Sequence, residues 1–260
     1  MTTKLSPPTE QTLTRESTRY DRQTSFLPPE KLKNISVVIV GLGALGRPTA
    51  ALAASTGFGR IGLFDDDTIE LPNLAAQGYK DKDLGRLKVE VVAEEVQELN
   101  PETDIYYQPV RLEKNDADLC ILDAFNKGLN VVPGQQKLVV VSCVDSIDTR
   151  SMLWKAVSSL PETHLFIDGR MAGPVIQTYA VDLKADNHES AKKSYSKSLF
   201  KSEDAFEAPC TARTLLYPCY IAAGLMIGQI SNWIRGLPVD AQVSCNLNTP
   251  SAMSLNISEG

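Results

Sequence analysis

The sequence predicts an α/β fold built on a doubly wound, mostly parallel β-sheet, and three observations predict it. Short apolar runs such as NISVVIV (34–40) alternate with stretches of helical spacing such as 84–101, as in parallel strands joined by helices. The glycine turn GLGALG directly follows the first run. Later, HLFIDG and PVIQTYAVDL follow one another with little helix between them, so the far half of the sheet is predicted to be partly antiparallel.

The elements follow in chain order. Strands are predicted at 34–40, 61–65, 104–110, 137–145, 164–169, 174–183 and 241–248. Helices are predicted after the glycine turn, where Pro48 fits the first turn, and at 84–101, 146–160 and 211–236, the last interrupted by Pro218. Residues 1–16 are expected to be a flexible tail. Residues 17–260 are expected to form one domain, in which the polar segment 184–209 is a flexible crossover loop.

Composition excludes some classes of function. The 260 residues include 32 acidic and 26 basic side chains, a net charge of −6, which argues against general affinity for nucleic acid or anionic membranes. No apolar run reaches membrane-spanning length, and the N-terminal stretch lacks the apolar centre of a signal peptide, so a soluble, cytoplasmic protein is expected. The five cysteines never form a C-x-x-C pair, and with two histidines they offer no zinc-binding spacing.

The glycine turn predicts a nucleotide site. Gly41, Gly43 and Gly46 match G-x-G-x-x-G between a buried strand and a helix. They would allow a tight turn, close approach to a phosphate and close helix–strand packing, and the helix N-terminus would attract the anion. Asp65 ends the next strand, where it can accept hydrogen bonds from ribose hydroxyls. The motif alone does not separate NAD from ATP.

Three consecutive aspartates favour ATP. Asp65 and Asp67 lie two residues apart at a strand end, so both could serve a ribose and Mg²⁺, which usually takes one or two carboxylates besides phosphate oxygens. NAD has no need of this metal. The structural alternative is that Asp66 and Asp67 only solvate a loop.

Five motifs in order resemble one family. They are RYDRQ (19–23), GLGALG, GLFDDDTIELPNLAAQ (62–77), DLGRLKVE (83–90) and VVSCVDSIDTR (140–150). Together they resemble the ThiF/MoeB/HesA family, which includes the E1-like activators of ubiquitin-like proteins, over about residues 17–236. The GRMAG and CTART segments look most similar to ThiF-type proteins of bacterial PRTRC gene systems.

This resemblance implies a Rossmann-like adenylyltransferase that uses ATP and Mg²⁺. Its substrate would be the C-terminal carboxylate of a small ubiquitin-like (β-grasp) protein, which becomes an acyl-adenylate. By position, Asp65 would hold the ribose, Asn73 and Lys88 the phosphates, and Asp145, with Asp67, the metal. Arg22 would reach the γ-phosphate, usually from the other subunit of a homodimer. The transition state concentrates negative charge on the phosphates, so positioned cations would supply most of the catalysis.

Cys210 is the candidate for a second step, in which the acyl group passes to a thiol. It follows the long polar segment and is followed by Thr211, as the resemblance implies for a catalytic cysteine. Arg213 and a helix N-terminus could lower its pKa. The alternative is a buried thiol at a helix end, and Cys219 is a weaker candidate nine residues further along the chain.

Simpler structural roles remain open for the other residues. Lys88 could be a surface charge on an amphipathic helix, Asp145 could cap the helix that begins near Ser146, and Arg22 could be a surface residue.

Two departures from the family pattern matter. Ala76 stands where NLxRQ has an arginine, so one phosphate-binding cation is missing unless Arg22, Arg60 or Arg86 compensates. The paired C-x-x-C zinc site is absent, which weakens assignment to molybdopterin or thiamin sulfur-carrier activation. The competing functions are a non-catalytic partner subunit, favoured by Ala76, adenylation of a non-protein substrate, and an NAD-dependent oxidoreductase, favoured only by the glycine turn.

Overall fold

A computed structural model describes residues 19–112, 117–123, 126, 136–199, 215–249 and 253–256. The strands in these ranges are β1 (Ile35–Val40), β2 (Arg60–Phe64), β3 (Asp104–Gln108), β4 (Lys137–Ser142), β5 (Thr163–Ala172), β6 (Val175–Asp182), β7 (Gln242–Asn246) and β8 (Met253–Asn256). The helices are α1 (Pro29–Leu32), α2 (Gly46–Thr56), α3 (Leu71–Gln77), α4 (Lys88–Leu99), α5 (Ala117–Asp123), α6 (Ile147–Ser159), α7 (His188–Lys197) and α8 (Leu216–Ile234), with a 3₁₀ turn at Asp81–Asp83.

The strands form one mixed sheet in the order β3-β2-β1-β4-β5-β6-β7-β8. The first five in this order are parallel, and β6, β7 and β8 are added antiparallel beyond β5. From β1 the chain moves to one side to form β2 and β3, and then to the other side to form β4. The carboxyl ends of β1 and β4 therefore flank a topological switch point, where α/β sheets bind ligands.

Helices cover both faces of the sheet. On one face α2, α4 and α8 bury Ala50, Val92 and Met226 against β1 and its neighbours. On the other face α5, α6 and α7 pack around Trp154 and Tyr195, whose rings lie 4.7 Å apart. All six residues of β1 are buried, as expected of a strand covered on both faces. The predicted doubly wound fold with an antiparallel extension is confirmed.

The structure departs from the predicted elements at several points. The segment predicted as a loop at 184–209 contains the ten-residue helix α7, in which Tyr195 is the buried side chain. A helix with a single buried side chain has no repeating apolar pattern, so its sequence does not indicate a helix. Pro218 does not interrupt α8, because it is the third residue of that helix, where its missing amide costs no helical hydrogen bond. The helices α1, α3 and α5 and the strand β8 were not predicted.

Some predictions lie outside the described residues. These are the tail at 1–16, residues 200–209 of the crossover segment, the candidate nucleophile Cys210 and the first four residues, 211–214, of the last predicted helix. Among the residues that are described, no helix combines the length and apolar character needed to cross a membrane.

Candidate nucleotide site

A cleft of about 700 Å³ opens at the carboxyl edge of the parallel strands, at the switch point. A cavity of this volume suits a ligand the size of a nucleoside triphosphate. It is lined by the loops after β1, β2, β3 and β4, by β5 and by residues of three helices. They include Gly41, Gly43, Ala44, Leu45, Asp65, Asp66, Asp67, Gln77, Lys88, Val110, Arg111, Leu112, Cys143, Val144, Asp145, Ser146, Thr149, Arg150, Gly169 and Met171.

The glycine turn joins β1 to α2 with the geometry that its motif predicts. Gly41 has φ of +87°, and a Cβ there would lie 2.9 Å from the Cys143 carbonyl oxygen. A Cβ on Gly46 would overlap the Gly41 carbonyl. Leu45, at the N-cap of α2, gives no side-chain hydrogen bond to the helix. Arg47 already donates its amide to the Gly43 carbonyl at 3.2 Å and Pro48 has no amide, so α2 can attract an anion in the cleft chiefly through its dipole, beside the backbone of Gly43.

Asp65 fixes the glycine turn as well as facing the cleft. Its Oδ2 accepts a hydrogen bond from the Leu42 amide at 2.6 Å, and its Oδ1 accepts one from the Asp67 amide at 2.9 Å. The Tyr79 hydroxyl donates to the Leu42 carbonyl at 2.7 Å, so hydrogen bonds hold Leu42 at both its amide and its carbonyl. Burial raises the pKa of the Asp65 carboxyl above its ordinary 3.8. An ionised carboxylate keeps lone pairs for ribose hydroxyls.

Lys88 is a buried cation, which excludes the alternative of a solvated surface charge. Its side chain is 5% exposed, and its Nζ lies 2.7 Å from Oδ2 of Asp67. Lys88 is also the first residue of α4, where the helix dipole disfavours a cation. Its position is therefore electrostatically costly without a nearby anion, which Asp67 supplies here and a phosphate could supply in a complex.

Asp67 was predicted to share a ribose and Mg²⁺ with Asp65. In the structure Asp67 instead binds Lys88 through its side chain and through its carbonyl oxygen, which accepts from the Lys88 amide at 3.0 Å. The carboxylates of Asp65, Asp66 and Asp67 lie within 4.8 Å of one another. Both oxygens of Asp65 already accept main-chain hydrogen bonds, so this group of carboxylates is largely occupied by internal contacts.

Asp145 projects from the loop after β4 and is an exposed residue of the cleft lining. It does not cap α6, because the Ser146 side chain performs that role by accepting a hydrogen bond from the Thr149 amide at 3.0 Å. The structural alternative of a capping aspartate is therefore wrong. A carboxylate in this place can act on a ligand in the cleft.

Asn73 does not line the cleft in the structure. Its side-chain oxygen accepts from the Glu70 amide at 2.9 Å and closes a capping box at the start of α3. Gln77, four residues later in the same motif, does line it and faces Gly43. The Gln77 Oε1 is buried and has no hydrogen-bond partner among the described residues. The sequence analysis did not name Gln77, because nothing local to the NLAAQ motif shows that this side chain turns toward Gly43.

Arg22 lies at the opposite end of α2 from the glycine turn. Its neighbour Gln23 donates to the Thr56 carbonyl at 2.6 Å, and Tyr20 accepts from Asn100 at 3.0 Å. The 11-residue α2 is about 16 Å long. Arg22 is exposed, does not line the cleft and lies about one helix length away from the glycine turn.

Neither of the other arginines suggested to compensate for Ala76 lines the cleft. Arg60 begins β2 at the amino edge of the sheet and donates to the Lys33 carbonyl at 2.7 Å. Arg86 makes a bidentate pair with Glu94 at 2.5 and 3.0 Å. The described cations that do line the cleft are Lys88, Arg111 and Arg150, and sequence reasoning missed the last two.

Two of the described cysteines, Cys143 and Cys219, are poor nucleophiles. Burial raises the pKa of Cys143 to about 12, although it lines the cleft. Burial raises the pKa of Cys219 to about 11, and its thiol donates to the Leu215 carbonyl at 3.1 Å. Cys210 lies outside the described residues.

These features define a nucleotide-binding α/β domain with its cleft at the switch point. Residues 20–259 match the ThiF family, and the chain belongs to this family.

Individual relatives match part of the chain. Adenylyltransferase and sulfurtransferase UBA4 of Saccharomyces cerevisiae is 36% identical over 124 residues, which is 47% of this chain and 25% of that protein. Ubiquitin-like modifier-activating enzyme 5 of Dictyostelium discoideum is 29% identical over 138 residues, which is 50% of this chain and 34% of that protein. The match thus spans about a quarter to a third of the length of these curated relatives.

The fold is shared with solved structures. The crystal structure of Escherichia coli MccB with ATP has a TM-score of 0.62 and 20% identity, covering 94% of this chain and 72% of that chain. At this identity the likeness establishes the common fold.

Proposed function

We propose that this chain is an E1-like, ATP-dependent adenylyltransferase. The observation that carries the proposal is one cleft that holds the glycine turn, the buried cation Lys88 and the carboxylates of Asp65 and Asp145. The glycine turn and Lys88 neutralise phosphate charge, and Asp65 accepts from the ribose. Membership of the ThiF family and the names of the two relatives support the same activity.

The reaction joins a carboxylate to AMP. A carboxylate oxygen of the substrate attacks the α-phosphorus of ATP, and the bond from that phosphorus to the β-phosphate bridging oxygen breaks. The products are an acyl-adenylate and pyrophosphate, which takes the electron pair of the broken bond. The positive N-terminal end of α2 and Lys88 stabilise the negative charge on the phosphate oxygens, and the walls of the cleft orient the reactants.

The donor chemistry in the cleft fits Mg²⁺. Asp145 is an exposed carboxylate of the lining, and hard oxygen donors of this kind suit Mg²⁺ beside phosphates. Asp145 would hold the ion, which would supply further neutralisation of phosphate charge. Asp67 is a poorer candidate ligand than the sequence predicted, since its Oδ2 pairs with Lys88.

The substrate we propose is the C-terminal carboxylate of a small ubiquitin-like (β-grasp) protein. The names of the relatives, one of which is a ubiquitin-like modifier-activating enzyme, support this class. We also propose that the chain is cytoplasmic and acts as a homodimer; the homodimer is supported by Arg22, which is exposed near the end of α2 that is remote from its own cleft. In such a dimer Arg22 would serve the site of the other subunit.

Cys210 is proposed to take the acyl group from the adenylate as a thioester. The raised pKa values of Cys143 and Cys219 make those two thiols unsuitable for this role. In the transfer the Cys210 thiol gives its proton to solvent and its sulfur bonds to the acyl carbon; the bond from that carbon to the phosphate oxygen of AMP breaks, and AMP leaves with its electron pair.

A second candidate function is that of a non-catalytic partner subunit. Ala76 favours it, because the arginine of the family pattern is missing there. The buried Lys88 and the exposed Asp145 argue against it, since an inactive subunit has no need to maintain a buried cation at a helix N-terminus.

Exchange of labelled pyrophosphate into ATP tests the proposed function. Wild type, supplied with small β-grasp proteins that end in glycine, should catalyse exchange, and Asp145→Asn should abolish it while remaining folded by circular dichroism. Asp148→Asn is a matched control, because Asp148 is an exposed carboxylate on α6 that does not line the cleft. Folded wild type that binds ATP but exchanges nothing with its cognate partner would favour the non-catalytic subunit. Binding of NADH without ATP would contradict both.

A further inference from the structure

The buried carboxylate of Asp168, on β5, is the centre of an ion-pair network next to the cleft. Asp168 has no exposed surface and pairs with Arg150 and with Arg170, the latter at 2.8 Å. The Tyr195 hydroxyl donates to it at 3.0 Å. Buried ion clusters add little net stability compared with well-packed apolar residues. Such a cluster therefore points to a need for a particular geometry.

One arm of this network ends at the loop that carries Asp145. Arg150, from α6, donates to the carbonyls of Val144 and Gly169 besides pairing with Asp168. Arg150 also lines the cleft. Because Val144 precedes Asp145 directly, the position of the Arg150 guanidinium restricts the backbone from which Asp145 projects.

The other arm ends on α7, the helix found where a crossover loop was predicted. Arg170 donates to the Ser198 carbonyl at 3.0 Å and to its hydroxyl at 2.9 Å. The Arg170 guanidinium also lies 4.2 Å from the centre of the Tyr179 ring. Asp168 therefore joins both ends of the network: α7 on one side and the Asp145 loop on the other.

We infer that Asp168, Arg170 and Tyr195 are positioning residues, and that the docking of α7 sets the geometry of the Asp145 loop through Arg150. The inference rests on the proposed function, since it assigns these residues a role in adenylation. None of the three touches the reacting atoms. A loosened network should displace Asp145 while leaving the glycine turn and Lys88, and with them most of the ATP affinity, in place.

Tyr195→Phe tests this inference with little loss of packing. It removes the hydroxyl bound to Asp168 and keeps the ring against Trp154 and Phe166. The control is Tyr220→Phe, which removes the same atom from a tyrosine that is 48% exposed on α8, outside both the network and the cleft lining. We expect Tyr195→Phe to lower kcat for pyrophosphate exchange about tenfold, as a small misplacement of a positioned group can. The Kd for ATP should stay within about twofold of wild type.

A second readout needs no activity. Amide hydrogen exchange across 143–146 should be faster in nucleotide-free Tyr195→Phe than in wild type and in Tyr220→Phe. If Tyr195→Phe leaves amide hydrogen exchange in this loop unchanged, the inference is overturned even if the enzyme is active. A kcat for Tyr195→Phe equal to that of wild type would overturn it as well. Wild type could fail to incorporate pyrophosphate while Tyr195→Phe still shows faster amide hydrogen exchange in the loop. That result would uphold the link between α7 and the loop. In that case the proposed function, and not the network, would fail.

Discussion

The ammonium group of Lys88 lies 2.7 Å from the Asp67 carboxylate, at the entrance to α4. Lys88 is 5% exposed, whereas the Asp67 side chain is 64% exposed. The pair therefore joins a buried cation to a carboxylate that water can easily solvate on its own. A phosphate that enters the cleft can replace Asp67 as the partner of Lys88 at little cost in desolvation.

Asp67→Asn should increase the affinity for ATP in the absence of Mg²⁺, because the phosphates no longer compete with Asp67 for Lys88. An ion pair with one solvated member is worth up to about 1 kcal/mol, so we expect a gain of about twofold to fivefold. Isothermal titration with EDTA present measures it. Asp66→Asn removes the same charge from the same cleft without touching Lys88 and should gain less. If Asp67→Asn instead weakens ATP binding only when Mg²⁺ is present, Asp67 is a metal ligand as the sequence predicted.

Asp65 should give ATP binding a pH dependence. Burial raises its pKa in the folded protein above the ordinary 3.8, so Asp65 takes up a proton at a higher pH than an unfolded aspartate. The protonated form is a weaker acceptor for ribose hydroxyls, and affinity should fall as the pH drops through the raised pKa.

The same shift stabilises the fold below pH 3.8 relative to higher pH, and this gain is lost as the pH rises through the folded pKa.

Titrations of ATP at a series of pH values, for wild type and for Asp65→Asn, measure the effect. Protonation of the ATP phosphates affects both proteins equally. Subtracting the affinity curve of Asp65→Asn from that of wild type therefore removes this contribution. If the difference in ATP affinity between wild type and Asp65→Asn is the same at every acidic pH, ionised Asp65 has no role in binding.

Tyr79→Phe should weaken ATP binding and lower stability together. The variant leaves the buried Leu42 carbonyl without the hydroxyl that donates to it at 2.7 Å. An unsatisfied buried carbonyl costs about 1–3 kcal/mol in the free energy of unfolding. The glycine turn should also become less ordered, so we expect ATP affinity to fall about threefold to tenfold. Tyr220→Phe is the control, since Tyr220 is 48% exposed on α8. Equal behaviour of the two variants in denaturation and ATP titration would show that Tyr79 does not hold the turn.

Arg111 should supply part of the phosphate-binding charge that Ala76 does not. Arg111 lines the cleft, whereas Arg150 is committed to Asp168. A charge-assisted hydrogen bond contributes about 1.5–3 kcal/mol, so Arg111→Ala should raise KM for ATP in pyrophosphate exchange about tenfold. Adding Ala76→Arg to that variant should recover much of the loss. Arg86→Ala, which removes a charge outside the cleft, should change KM little. An Arg111→Ala protein indistinguishable from Arg86→Ala would remove Arg111 from the site.

Cys210→Ala should leave pyrophosphate exchange intact and remove a thiol-sensitive conjugate with the partner on a non-reducing gel, because the thioester forms after the adenylate. Cys219→Ala should keep the conjugate, since burial raises the pKa of Cys219 to about 11. A conjugate that persists in Cys210→Ala would assign the thioester to another residue, and wild type that forms none would end the reaction at the adenylate.

The sequence by itself determined the fold class and most of the strands. Buried runs such as 35–40 and 138–142, together with the glycine turn, specify parallel strands and a switch point, because local periodicity reports which faces are buried. It also located Gly41, Asp65, Lys88 and Asp145 in a common site, because each follows the carboxyl end of a parallel strand or begins a helix there.

Only the tertiary structure decided the partners of these residues. Nothing local shows that Asp67 pairs with Lys88 21 residues away, that Asn73 is used to cap a helix, or that Gln77 faces the cleft in its place. The same holds for α7, which Tyr195 anchors to Asp168 across 27 residues. Sequence periodicity reports the burial of neighbouring residues, whereas hydrogen bonds and ion pairs depend on which distant segments the fold brings within about 3 Å of one another.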